Sequence, residues 1–314
     1  MNSETSNRSD AQERVTVFGG SGFLGRSLVP LLIEQSYKVR VAARDVERGR
    51  ARFPKPVQDA IEFVSADLND EASVQAAVKG STGVVNLVGI LFETGAQKFD
   101  SIQARGPEHI ARASKEQGIE NLVHVSAIGA DAQSSAAYAR TKAAGEAAVM
   151  DLVPSSVIVR PSIVFGPDDQ FFNRFADMSK FLPIVPVVGP NTRFQPVFVG
   201  DVAEAVVIAL AGRAKRSTVY ELGGPDIDSF AGLMRTMLRV LGRRRAVLAL
   251  PMPIAKIQAA VFELLPNPPL TRDQIKLLAK DNIVSQAASS EERTLGGLGI
   301  TPKTIGEILP TYLN

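Results

Sequence analysis

Short apolar runs rich in β-branched residues alternate with longer stretches of helical period through the first half of the chain. Residues 15–18, 39–42, 61–64, 84–88, 122–125 and 157–160 read as six strands. Helical patterns lie between them at 24–35, 71–78, 101–117 and 137–151. The strands are apolar throughout rather than alternating, so both of their faces are covered. That rhythm predicts an α/β fold: a doubly wound parallel sheet, helices on both sides, right-handed crossovers.

Beyond Pro161 the pattern changes. Prolines cluster at 183, 186, 190 and 196 and again at 251, 253, 266, 268 and 269, and each disfavours helix in the residue before it. Residues 201–211 look helical and return to the sheet, and 219–222 add a strand. Residues 229–241, 254–265 and 272–280 read as helices of a smaller, mostly helical C-terminal lobe. The expected organisation is a polar, disordered leader over 1–13, a sheet domain over 14–222 with an excursion near 166–196, and the lobe over 223–314. No repeat or low-complexity tract interrupts it.

Composition acts mainly by exclusion. With 45% hydrophobic residues the chain can bury a large core. Thirty-five basic against 33 acidic residues leave a net charge of +2, too small to call for nucleic acid. The absence of cysteine removes disulfides, thiolate metal sites and cysteine nucleophiles. His109 and His124, the two imidazoles, both lie in packed patterns, so no metal site is expected. No run approaches the roughly 20 apolar residues of a membrane span.

The first strand ends in Val17-Phe18-Gly19-Gly20-Ser21-Gly22-Phe23-Leu24-Gly25. Gly19, Gly22 and Gly25 at a strand–turn–helix junction are what a dinucleotide pyrophosphate needs. The turn is too tight for a side chain, and the helix start presents free N–H groups to the phosphates. The sheet is therefore of Rossmann type, with Ser21, Phe23 and Leu24 lining the cradle. The second strand ends Ala42-Ala43-Arg44-Asp45. Ala43 stands where an NAD enzyme carries a ribose-binding acid, and Arg44 supplies a guanidinium for a 2′-phosphate, which favours NADP(H). A one-residue shift would put Asp45 there and favour NAD(H). Arg40 points elsewhere by alternation. Asp67, with Leu68, follows the third strand and either meets adenine or caps the helix starting near Asn69. Leu87, Val88 and Gly89 leave the fourth strand beside the adenine ribose.

Tyr138-Ala139-Arg140-Thr141-Lys142 places a phenol and an ammonium four residues apart on one helix face. A lysine beside a tyrosine lowers the phenol pKa, making it a proton donor or acceptor, while the lysine also holds the nicotinamide ribose. Ser126, at the end of the fifth strand, can bind a substrate carbonyl. Phe171, Phe172 and Phe175 cover the nicotinamide end or the inter-lobe cleft, or are ordinary core. Within residues 248–265, which contain Pro251 and Pro253, the helix carrying Ile254, Ile257, Val261, Leu264 and Leu265 on one side reads as a core helix of the lobe or as a membrane-surface or partner-binding helix flanked by Arg243-Arg244-Arg245.

The glycine cradle, Ser126, Tyr138 and Lys142, and Arg160-Pro161-Ser162-Ile163-Val164-Phe165-Gly166-Pro167 together resemble the short-chain dehydrogenase/reductase superfamily in its extended or atypical branch. The resemblance implies that Pro161 and Ile163 line the nicotinamide side. More narrowly, Lys142-Ala143-Ala144-Gly145-Glu146, Phe165-Gly166-Pro167-Asp168-Asp169, Gln195-Pro196-Val197-Phe198-Val199-Gly200-Asp201-Val202 and Thr271-Arg272-Asp273-Gln274 resemble the NADPH-binding accessory subunits of respiratory complex I. That implies a tightly held NADPH of structural purpose. The expected partners are peripheral-arm subunits of complex I or a quinone-pathway assembly. The expected location is cytoplasmic, or peripheral on the cytoplasmic face of the inner membrane (the matrix side in a mitochondrion). The alternative is an active NADPH-dependent oxidoreductase on a lipophilic carbonyl or quinone-pathway substrate, using Ser126, Tyr138 and Lys142.

Overall fold

The computed structural model describes residues 13–266 and 268–313; the leader expected over 1–13 lies outside them except for Glu13. Six strands form in chain order: β1 (Arg14–Phe18), β2 (Lys38–Ala43), β3 (Ile61–Ser65), β4 (Gly83–Asn86), β5 (Asn121–Val125) and β6 (Val157–Pro161). The helices around them are α1 (Phe23–Glu34), α2 (Val46–Arg50), α3 (Lys55–Asp59), α4 (Glu71–Val78), α5 (Gly106–Glu116) and α6 (Ala137–Leu152). The chain then makes β7 (Val164–Phe165), α7 (Phe172–Phe181), β8 (Ile184–Val187), β9 (Arg193–Phe194) and β10 (Val197–Phe198). It re-enters the sheet domain as α8 (Val199–Leu210) and β11 (Thr218–Leu222). The remainder is β12 (Asp228–Ser229), α9 (Phe230–Val240), β13 (Ala246–Ala249), α10 (Met252–Phe262), α11 (Arg272–Leu277), α12 (Gln286–Ser290) and α13 (Ile305–Tyr312).

The main sheet has seven strands in the order β11-β6-β5-β4-β1-β2-β3, all parallel. Order reverses at β1, so the crevice above β1 and β4 is where a ligand sits in such a sheet. Valines such as Val15, Val41, Val85 and Val159 are fully buried because α1 and α8 cover one face while α4, α5 and α6 cover the other. A separate core of Phe165, Phe172, Phe194 and Phe230 with Met234 and Met237 joins the segment after β6 to the C-terminal lobe.

Two elements differ from their sequence expectation. Strand β4 stops at Asn86, not 88, because the Asn86 side chain takes the Val88 N–H at 3.0 Å and turns the backbone out of the ladder. The helix expected over 101–117 is divided: Asp100–Arg105 is wound as a π-helix before α5 begins. Pro107 has no N–H for the Gln103 carbonyl. That carbonyl instead faces Gly145 of α6, where a Cβ would lie 2.2 Å away. Phe172 is buried core edge-on to Phe165, while Phe171 and Phe175 pack partly buried against Phe230. The two-stranded pairings β8–β13 and β9–β12 were not legible beforehand, being four and two residues long.

Candidate functional site

The glycine turn carries β1 into α1. Gly19 has φ of 77°, a left-handed backbone that a Cβ would strain, and its carbonyl accepts the Gly22 N–H at 2.9 Å. Gly22 is the N-cap of α1, with no side-chain cap and no acid in the first turn. The positive helix end and its first N–H groups are thus left for an anion. Gly25 is buried where α1 crosses the turn; a Cβ there would lie 2.2 Å from the Gly20 carbonyl oxygen. Ser21, Phe23 and Leu24 complete the turn and stay partly exposed. The end of β4 closes on it, since Leu87 N–H donates to the Phe18 carbonyl at 2.9 Å and Val88 lies against Gly19.

Ala43 ends β2, and Arg44 after it is exposed. Asp45 is withdrawn into local capping: it is the N-cap of α2, accepting the Arg48 N–H at 3.0 Å. Gly49 of α2 brings Ala43 and Ser21 together, for a Cβ there would stand 3.3 Å from Ala43 and 3.6 Å from the Ser21 side chain. Arg40 points away, donating to the Ala77 and Lys79 carbonyls at 2.8 Å each and pairing with Glu62. Asp67 accepts from the N–H and amide of Asn69 at 2.9 and 3.0 Å, while Asp70 caps α4. The Leu68 side chain is core beneath Gly106, and its carbonyl takes His109 Nδ1 at 2.9 Å.

Ser126, Lys142 and Gly89 converge at the ends of β4 and β5. The Ser126 hydroxyl is buried with no hydrogen-bond partner among the described residues. Lys142 Nζ donates to the Val125 carbonyl at 3.2 Å and would lie 3.2 Å from a Cβ on Gly89. Burial pulls the Lys142 pKa down to about 8, partly opposed by Glu146. Tyr138 stands in the first turn of α6 with Phe99 edge-on at 5.9 Å. Its phenol is pushed up to about 12 by burial. Burial outweighs any lowering by Lys142, whose ammonium donates to the Val125 carbonyl. Beneath them His124 Nδ1 faces the Asn86 amide at 3.1 Å, and burial together with Lys142 lowers the imidazole pKa to about 3, so it is neutral. The Pro161 and Ile163 carbonyls take the Ile128 and Val197 N–H groups at 3.0 and 2.9 Å, pinning the strand end.

Two residues that sequence reasoning missed as site elements hold this arrangement. Helix α6 has Ala136 as its N-cap and no cap from its own chain segment. The carboxylate of Asp273, 136 residues from Ala137, accepts the Ala137 N–H at 2.8 Å and the Tyr138 N–H at 2.9 Å. Asn282 accepts from Ser162 Oγ, with Oδ1 at 2.6 Å, and donates to the Ile128 carbonyl at 3.1 Å. Thr271 caps α11 in the structure, but nothing local in the sequence ties Asp273 to α6.

A parallel sheet with its switch point at a glycine turn, and a Tyr-x-x-x-Lys helix beside it, defines a dinucleotide-binding protein of Rossmann type. The chain belongs to the NAD dependent epimerase/dehydratase family, whose model matches residues 15–223. It is 35% identical to "NADH dehydrogenase [ubiquinone] 1 alpha subcomplex subunit 9, mitochondrial" of Arabidopsis thaliana over 87% of this chain and 71% of that one. The mouse (Mus musculus) protein of the same description is 32% identical over 91% of this chain and 76% of its own. Among solved structures, an NADPH-dependent quinone oxidoreductase from Escherichia coli, complexed with NADPH, superposes with a TM-score of 0.75 at 17% identity. That likeness covers 96% of this chain and all (100%) of the other, and it shows the shared fold.

Proposed function

We propose that this chain holds NADP(H) as a lasting structural ligand and docks on the peripheral arm of respiratory complex I. The observation that carries the cofactor choice is the end of β2. Ala43 offers no carboxylate, Asp45 is committed to capping α2, and Arg44 is left exposed. A guanidinium there suits a 2′-phosphate, which it binds through paired hydrogen bonds. The assembly role is supported by similarity to the complex I subunits that runs on through the C-terminal lobe. In this reading Gly19, Ser21, Gly22, Phe23, Leu24 and Gly25 hold the pyrophosphate. Asp67, Leu68, Leu87, Val88 and Gly89 border the adenosine half, and Tyr138, Lys142, Pro161 and Ile163 border the nicotinamide half. Isolation from native membranes, with identification of the released nucleotide and the co-purifying chains, tests both parts. Release of NADP(H) alongside complex I subunits is the expected result; empty protein outside that complex would refute it.

A second reading, an active NADPH-dependent oxidoreductase, is favoured by the unpartnered Ser126 hydroxyl. When bound, the nicotinamide supplies the hydride. Ser126 would donate a hydrogen bond to a carbonyl oxygen and Tyr138 would give that oxygen its proton. For this, Lys142 has to release the Val125 carbonyl and bring its charge to the phenol. Tyr138→Phe should then abolish turnover while sparing nucleotide binding, and unchanged turnover discards this reading.

A further inference from the structure

We infer that the outer face of α10, with the adjoining rim of α7, β8 and β13, is a docking surface for an anionic lipid bilayer. Charge points there first. From Ser229 to Phe262 the chain has no Asp or Glu, yet it carries Arg235, Arg239, Arg243, Arg244, Arg245 and Lys256. The chain as a whole is almost balanced, so this run is a local excess.

Helix α10 sits on the protein the wrong way round for a surface helix. Its buried residues are the small ones, Ala255 and Ala259, while Ile254, Ile257 and Val261 face out and Leu264 and Leu265 follow them. At 3.6 residues per turn these large side chains share one stripe, roughly opposite the two alanines. Ile257 is 69% exposed and Leu264 85%. The apolar surface continues off the helix. Leu248 on β13 is exposed, Ile184 on the paired strand β8 is exposed, and Phe181 at the end of α7 is 86% exposed. Arg243 and Arg245 donate to the carbonyls of Ala176 and Ser179 near the end of α7, which seats the arginine run on this rim with Arg244 facing solvent.

The bilayer is the occupant that both features fit. Phe181 and Leu264 protrude, and protruding side chains suit a fluid acyl layer more readily than a rigid partner that needs a matching pocket for each. The basic groups flank the apolar stripe, where lipid phosphates lie when such a stripe enters the headgroup boundary. A second copy of this chain would set arginine run against arginine run. The inference stands on this face alone, whatever the role of the nucleotide.

The test uses the full chain, sedimented with vesicles of phosphatidylcholine alone or of phosphatidylcholine with phosphatidylglycerol. Binding is expected to the anionic vesicles, weakening as salt rises. Ile257→Glu with Leu264→Glu should lower that binding by about tenfold or more, with melting temperature and nucleotide content unchanged, since both side chains are exposed. Arg244→Glu with Lys256→Glu should remove the preference for anionic lipid by about tenfold. The proposal is overturned if the natural chain ignores both vesicles or if the variants bind as it does. It is equally overturned if the chain is a dimer that Ile257→Glu dissociates, which would assign the face to a second copy.

Discussion

Arg44 and Lys142 are the two side chains whose surroundings say most about the nucleotide. Arg44 is exposed at the end of β2 and its acidic neighbour is occupied elsewhere. Arg44→Ala should therefore weaken NADPH binding by about tenfold or more and leave NADH binding nearly unchanged, as a lost charge-assisted pair would. Titration of both nucleotides against the variant reads this directly; equal losses would mean that Arg44 does not face the 2′ position. Lys142 carries a pH signature. Its folded pKa of about 8 lies below the ordinary 10.5, so the folded state sheds its proton first. Below pH 8 the lysine is charged in both states and its burial costs on the order of 3 kcal/mol. Between about 8 and 10.5 stability rises with pH, because the unfolded chain binds the extra proton. Lys142→Met should raise the melting temperature of nucleotide-free protein at neutral pH, with the advantage fading toward pH 10.5. A pH-independent gain would point to packing rather than charge.

At the scale of the element, α6 is the part that depends most on its distant neighbours. Its first turn presents Tyr138, and the carboxylate holding that turn comes from α11. Loss of a helix cap costs about 1–2 kcal/mol. Asp273→Ala should lower the melting temperature by a few degrees and speed nucleotide release, measured by stopped-flow fluorescence of NADPH. Asp273→Glu should recover part of both. Stability loss with unaltered release would confine Asp273 to the fold. This element also marks the limit of sequence reading. The Tyr-x-x-x-Lys spacing was visible because it is local to one helix. Its cap was not, because the donor and acceptor meet only after the lobe has packed.

For the whole molecule, the nucleotide crevice and the lobe act as one structure. Asn282 links the Ser162 hydroxyl, the Ile128 carbonyl and the Arg193 carbonyl, so the strand-end loops of the sheet are fastened by a residue of the C-terminal lobe. A ligand that binds only the folded state stabilises it, by about 3 kcal/mol at a hundredfold excess over Kd. Stripping the nucleotide should thus lower the melting temperature, and NADPH should restore it at lower concentration than NADH does. If NADH restores it equally well, the NADP(H) assignment fails.

The opening glycine turn, the parallel order of apolar strands and the helical register of Tyr138 and Lys142 could all be read from the chain itself. Each depends on interactions within a few residues or on uniform burial, and those leave a periodic trace. The tertiary structure decided the rest. It divided the helix around Pro107, moved Asp45 into a cap, tied Lys142 to the Val125 carbonyl and brought Asp273 and Asn282 to the site. It also turned the large side chains of α10 outward. In each of these cases the partner lies in a different element, or the outcome depends on which face a neighbour covers. Local sequence records neither; only packing does.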